Sequence, residues 1–190
     1  MAAPRPRSAA DRLAARFEEF IAEIGRAAWF AACAEPLTPA ETATAGAYLA
    51  ALGHADCAIS GVADWRAAAA VTQRLDWSRS WWVAESAAEA ALKETALAEF
   101  GDEAVLVGLS RVANVSASLA GAAAVSLARG GVADPALTRV AAGSAAQACH
   151  QAALALAAGA PSGHAFALKH QLFAAGRWPL GIVGETFFLL

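Results

Sequence analysis

"WPLGIVGETFFLL", residues 178–190, closes a chain that otherwise reads mainly as helix. Two runs of strand-forming residues, 180–183 and 186–190, flank Gly184-Glu185. A two-residue loop with glycine first signals a type II′ hairpin, because its first central position requires positive φ. The simplest register sets Val183 opposite Thr186 and Ile182 opposite Phe187. Pro179 stands at the entry, where its missing N–H does no harm. Both faces of the hairpin are apolar, and a lone two-stranded hairpin is marginal in water. It is therefore expected to lie on the helices as a lid or to pair with another chain. Burying Ile182, Phe187 and Phe188 contributes roughly 1.5–3 kcal/mol each, and Phe187 and Phe188 are candidate partner contacts.

Upstream, helix punctuation is legible. "SAAD" at 8–11 resembles a capping box with Asp11 at N3, and Leu13, Phe17, Phe20, Ile21 and Ile24 recur behind it at helical spacing. This helix is expected to run to Cys33, ahead of Pro36. "TPAE" at 38–41 offers Thr38 as N-cap, Pro39 at N1 and Glu41 at N3, with a stop at Gly53. "HADCAISG" at 54–61 is irregular, and a helix follows from about Asp64. "DWSRSWW" at 76–82 interrupts it, and Ser80 is the expected cap of a fourth helix ending at Gly101. Asp102 opens a fifth helix to Arg129, and Asp134-Pro135 a sixth to Gly159. Ser162 is the expected cap of the last helix, which Gly176 closes. The expectation is a mainly α, single compact domain of about seven alanine-rich helices over 1–190, with a C-terminal β-hairpin at 178–190 and a solvated arm at 1–7. No fixed-period repeat appears, which argues against a solenoid.

Composition narrows the function classes. Roughly 30% of the residues are alanine, so the 58% hydrophobic content reflects close helix packing more than large apolar side chains. A net charge of -3 excludes the basic footprint of a nucleic-acid binder; Arg5 and Arg7 alone make a poor patch. The three cysteines, Cys33, Cys57 and Cys149, are far apart and form no CxxC, which fits free thiols in a reducing cytoplasm. An apolar signal core is missing from the N-terminus, so a cytoplasmic location is expected. The uncharged stretches 112–128 and 140–168 read as central buried helices: the first is short and rich in Ser, Asn and Ala, and Gly159, Pro161 and three polar side chains break the second. No membrane association is expected.

Three groups of residues are candidates for chemistry or binding. Arg111, Asn114 and Ser118 share one face of the fifth helix, and Gln147, His150 and Gln151 cluster on the sixth. If those faces meet, they form a small-molecule site in which Arg111 holds an anion, Asn114 and Gln147 orient the ligand, and His150 is the catalytic acid or base. His150, His164 and His170 are a conceivable metal set but lack the i, i+4 spacing of a helical pair, HExxH is missing, and Glu85 and Glu89 as a carboxylate pair have no ExxH beside them, so no metal and no cofactor is expected. Trp77, Trp81 and Trp82, beside Asp76 and Arg79, have the composition of a recognition surface or a pocket wall. Glu85, Glu89 and Lys93 read as a solvated helix face carrying a Glu-to-Lys pair. There is no GxSxG, P-loop or GxGxxG. The reading that follows is a soluble, non-catalytic binding or accessory protein that recognises a protein partner, or a second copy of itself, through the tryptophan region or the hairpin. A small-molecule binder or enzyme using the fifth and sixth helices is the alternative.

Overall fold

The computed structural model of the chain describes residues 8–190, so the arm expected at 1–7 lies outside the described residues. Among the described residues seven helices and one small sheet form a single unit: α1 (Ala9–Ile24), α2 (Pro39–Ala51), β1 (Ala58–Gly61), α3 (Trp65–Thr72), α4 (Arg79–Phe100), α5 (Asp102–Arg129), α6 (Pro135–Ala157), α7 (Ala165–Ala174), β2 (Pro179–Val183) and β3 (Thr186–Leu189). The fold is mainly α with a C-terminal hairpin, as the sequence predicts.

Local chemistry explains most of the boundaries. Ser8 and Asp11 close a reciprocal capping box on α1, and Thr38 and Glu41 do so on α2. Asp64 and Asp134 cap α3 and α6 through their carboxylates. Three expected caps are displaced. Ser78, not Ser80, caps α4; His164, not Ser162, caps α7 by accepting from the Phe166 amide; and Gly101 holds the N-cap position of α5 without a side-chain bond, so Asp102 is its first residue. Asp102 and Glu103 still place negative charge at the positive end of that helix dipole.

The hairpin takes the predicted register, Val183 opposite Thr186 and Ile182 opposite Phe187. Gly184 adopts φ 60°, as the turn requires. The hairpin is also one strand larger than its sequence shows. β1, in the stretch read as irregular, pairs in parallel with β3, so the order is β1-β3-β2 and β3 is central. On the far side, the 76–78 segment covers the edge of β2: Trp77 bridges Val183, the Ser78 amide donates to the Ile182 carbonyl at 2.9 Å, and the Gly184 amide donates to that of Asp76 at 2.8 Å. Phe187, Leu189 and Leu190 are fully buried. The hairpin is thus a lid on the helices. Phe187 is walled in by the core and meets the Tyr48 ring at 5.5 Å, so it cannot serve as a partner contact; Phe188 is half-buried against the second part of the core.

α5 packs along α6 as the most extensive helix pair. By length and composition α5 is able to cross a membrane, and a third of its most apolar window is buried in the protein. At Gly108 a Cβ would lie 2.1 Å from the Phe17 ring, so glycine lets α1 approach α5.

The largest departure from the sequence reading lies between α1 and α2. The first helix stops at Ile24, well short of Cys33, and residues 25–37 fold into turns in which Phe30 and Ala34 take positive φ. Arg177 is the reason. The residue is 1% exposed, and its guanidinium donates to the carbonyls of Ala32, Glu35 (2.7 Å) and Pro36 (2.8 Å) and forks onto both Glu41 oxygens at 2.7 and 3.0 Å. A helix carried to Cys33 would hold the Ala32 carbonyl along its axis, away from those of Glu35 and Pro36 beyond its end. The turn conformation instead turns three of the segment's carbonyls towards a planar five-donor cation. Gly176 precedes it with φ 90°, and a Cβ there would meet the Ala32 amide nitrogen at 2.8 Å. Cys33 completes the junction, its thiol donating to the Gly176 and Leu190 carbonyls, and burial pushes it up to about 12.

Candidate functional site

The sequence groups Trp77, Trp81 and Trp82; Trp178 lies 96 positions beyond them. The structure gathers Trp77, Trp81, Trp82 and Trp178 around one cleft of about 610 Å³, with Val140, Gly143, Ser144 and Gln147 of α6 as the facing wall and Leu180 of β2 at one end. Three local features build it. The 76–78 segment pairs with β2 and so carries Trp77 to the sheet edge. Ser78 caps α4, which sets Trp81 and Trp82 in its first turn. Gly181, at φ 128°, has no side chain where Trp81 and Trp77 lie: a Cβ would come within 2.7 Å and 3.1 Å of their rings. An irregularity between Pro179 and Gly181 shifts the register there, and Leu180 lines the cleft.

Gly181→Ala is therefore expected to push the two indoles out of place. Overpacking of this kind costs about 1–3 kcal/mol, and near-UV circular dichroism should report a changed tryptophan environment. An unaltered spectrum would mean that the strand does not set the cleft wall.

The floor is a chain of polar groups running from α2 to α6. The Trp81 indole N–H donates to the Tyr48 hydroxyl at 2.8 Å, and Tyr48 donates to Glu85 Oε1 at 2.6 Å. Lys169 Nζ donates to the same Oε1 at 2.7 Å and to Gln151 Oε1 at 3.1 Å. Gln151 and Gln147 donate their amide hydrogens to Glu89 Oε2 at 3.0 and 3.2 Å. The Lys169 ammonium also lies 5.9 Å from the Trp81 ring centroid, within cation–π range. Burial, then the Glu85 charge, holds the Tyr48 phenol well above its ordinary value. It therefore stays protonated and keeps donating. Glu85 and Lys169 keep only 14% and 10% of their side-chain surface exposed, so this ion pair is largely withdrawn from water and depends on its hydrogen bonds.

Several sequence expectations are corrected by this arrangement. Glu85 and Glu89 are not a solvated face paired with Lys93; they turn inward to Tyr48, Lys169 and the two glutamines, and Lys93 alone is exposed. The stripes on α5 and α6 do not meet. Arg111, Asn114 and Ser118 point outward, Arg111 pairing with Glu18 of α1, whereas Gln147 and Gln151 point to α4. Packing decides this: α5 turns Val112, Ser116 and Ala120 inward, and the polar stripe falls on the remaining face. A shared site built on Arg111, Asn114, Gln147 and His150 is thereby lost, and with it the acid–base role of His150, which is half-buried and adjoins none of these groups by a hydrogen bond. His164 caps α7, and His170 packs against Phe20 at 4.9 Å with its Nε2 buried and unpartnered. Burial lowers His170 to about 4. Among the described residues no three His, Cys, Asp or Glu side chains are grouped to hold a metal ion.

Tyr48, Lys169 and Trp178 escaped the sequence reading. Lys169 carried a usable signal: it is the lone charge in "AFALKHQLFA", and a single cation on an apolar helix needs a buried partner. Tyr48, the chain's one tyrosine, carried none.

A depression of similar size, about 630 Å³, lies between α1 and the α4–α5 corner. Phe17, Phe100 and Val107 line it, and its charged residues Asp11, Asp102, Glu103 and Arg111 are exposed. The tryptophan cleft is the stronger candidate because a buried acid–base pair reaches its floor. Comparison with protein-family models, curated proteins and solved structures gave no match for this chain.

Proposed function

We propose that this is a non-catalytic binding protein that docks a protein partner by taking an apolar or aromatic side chain of that partner into the tryptophan-walled cleft. One observation carries the reading: two exposed large apolar side chains, Trp82 and Val140, line a cleft whose floor holds a largely buried ion pair. Trp82 is 58% and Val140 55% exposed, facing one another from α4 and α6. Scattered exposed apolar residues need no explanation, but large apolar side chains left exposed on the walls of a concave site mark a recognition surface. Trp82 is also shared with a shallower groove formed by Arg79, Val83, Ser86 and Ala87, so α4 offers an anchor pocket and a helix face together. Most donors and acceptors of the floor are already bonded to one another, which suits positioning and recognition better than proton transfer. The three free cysteines fit a reducing cytoplasm as the place of action.

The test is the affinity of the partner, once captured and purified, for variants of this face. Trp82→Ala is expected to cost 2 kcal/mol or more of binding, roughly thirtyfold in Kd, as a central aromatic anchor does. Val125→Ser, on the exposed side of α5, is expected to leave Kd unchanged. Equal effects of the two substitutions would contradict the reading.

A further inference from the structure

The cleft's floor also specifies what enters it. Lys169 has three ammonium hydrogens, and two are placed, on Glu85 Oε1 and Gln151 Oε1. Glu85 receives both Tyr48 and Lys169 on Oε1, and its second oxygen, Oε2, accepts nothing from the described residues. Oε2 is not sealed in: among the described residues the only buried side-chain nitrogen or oxygen without a partner is His170 Nε2. Both residues line the cleft. The floor therefore offers one N–H and one carboxylate oxygen, side by side, from a pair whose charges offset.

This selects against charged occupants. A carboxylate reaching the Lys169 hydrogen brings its charge against Glu85, with Glu89 one helical turn behind. An ammonium reaching Glu85 Oε2 meets Lys169, which already occupies the approach to the Trp81 ring. An uncharged group with an acceptor beside a donor satisfies both positions, and the indoles stack on a flat body.

We infer that the cleft receives a planar, uncharged carboxamide on an aromatic or apolar body: Lys169 donates to its carbonyl, its N–H donates to Glu85 Oε2, and Trp77 and Trp82 flank the body. This rests on the cleft being the binding site and names the chemistry that the site reads.

The probes are benzamide, benzoate and benzylamine, titrated at neutral pH by calorimetry and by indole fluorescence. Benzamide is expected to bind at least roughly tenfold more tightly than either charged analogue, since a site built from buried polar groups rejects a ligand that leaves them unpaired. Glu85→Gln leaves the Lys169 charge unbalanced and should turn the preference towards benzoate; Lys169→Met should turn it towards benzylamine. Circular dichroism checks that both variants are folded. Ser144→Leu fills the cleft from the α6 wall without touching the pair, and it should abolish benzamide binding even if the charge variants fail to fold. Benzoate or benzylamine equalling benzamide on the native protein, absence of saturable benzamide binding, or benzamide binding that survives Ser144→Leu would each overturn the inference. The docking reading is judged separately, by the partner's dependence on Trp82.

Discussion

Arg177→Met is expected to lower stability by about 3 kcal/mol or more, because it removes one partner of a buried ion pair together with the donors to three carbonyls. For a domain of this size that is a fall in Tm of roughly 6–12 °C. Methionine keeps much of the side-chain volume, so the loss would report hydrogen bonding and charge more than a cavity. The segment 25–37 should loosen first, since its turns, including the positive φ of Phe30 and Ala34, are arranged around the guanidinium. Faster amide exchange confined at first to that segment is the accompanying signature. A Tm within a degree or two of the native value would show that the arginine does not organise the α1–α2 connection.

The same contact has a pH signature. Arg177 is the first cause holding the Glu41 carboxyl down at about 2, with the Thr38 bonds assisting. A carboxyl whose folded value is depressed contributes stability above its ordinary value, near 4.5, and that contribution fades as pH falls from there towards 2. Melting temperatures of the native protein should therefore fall across this window, and those of Arg177→Met should fall less. Parallel acid profiles would contradict the assignment to Glu41.

The second large effect is expected at Phe187. It stands on the central strand, fully buried, between β1 and β2 and against the Tyr48 ring. Phe187→Ala should cost about 3–5 kcal/mol, the usual range for emptying a buried phenylalanine site. Tyr48 lies under the cleft floor, so the variant should also disturb the Trp81–Tyr48–Glu85 chain and the tryptophan fluorescence. Urea titration measures the loss, and the fluorescence of the folded baseline measures the disturbance. A variant as stable as the native protein, but altered in self-association, would mean that the hairpin is an interface and not a lid.

These two residues also show where sequence was readable. Short-range signals translated well. The capping boxes at Ser8 and Thr38, the Asp134-Pro135 start and the Gly184-Glu185 turn each depend on atoms within four residues, and each appears as expected. What failed was set by distant partners. β1 is four residues long and exists because it pairs in parallel with β3, some 128 positions away, so no alternation within "AISG" announces it. The end of α1 is set by Arg177, which lies in another part of the chain.

The candidate site divides the same way. The cluster Trp77, Trp81 and Trp82 was visible as composition, and Gln147 and Gln151 as polar residues among alanines. Their geometry was not visible. Helical spacing says which residues share a face, but not which neighbour that face meets, and the two stripes of α5 and α6 turned away from each other for that reason. Glu85 and Glu89 looked solvated because a Lys stood at i+4 from Glu89. The lone Lys169 on α7 won Glu85 instead, since a buried cation has fewer alternatives than an exposed one.

The most direct measurement of the central claim, that the tryptophan-walled cleft is the binding site, is the movement of the six indole N–H signals in NMR spectra as small aromatic fragments (neutral, acidic and basic) are added. Saturable shifts are expected at Trp77, Trp81 and Trp82 for whichever fragments bind, with Trp29, outside the cleft, unmoved. Fragments that bind while those three signals stay still would contradict that claim.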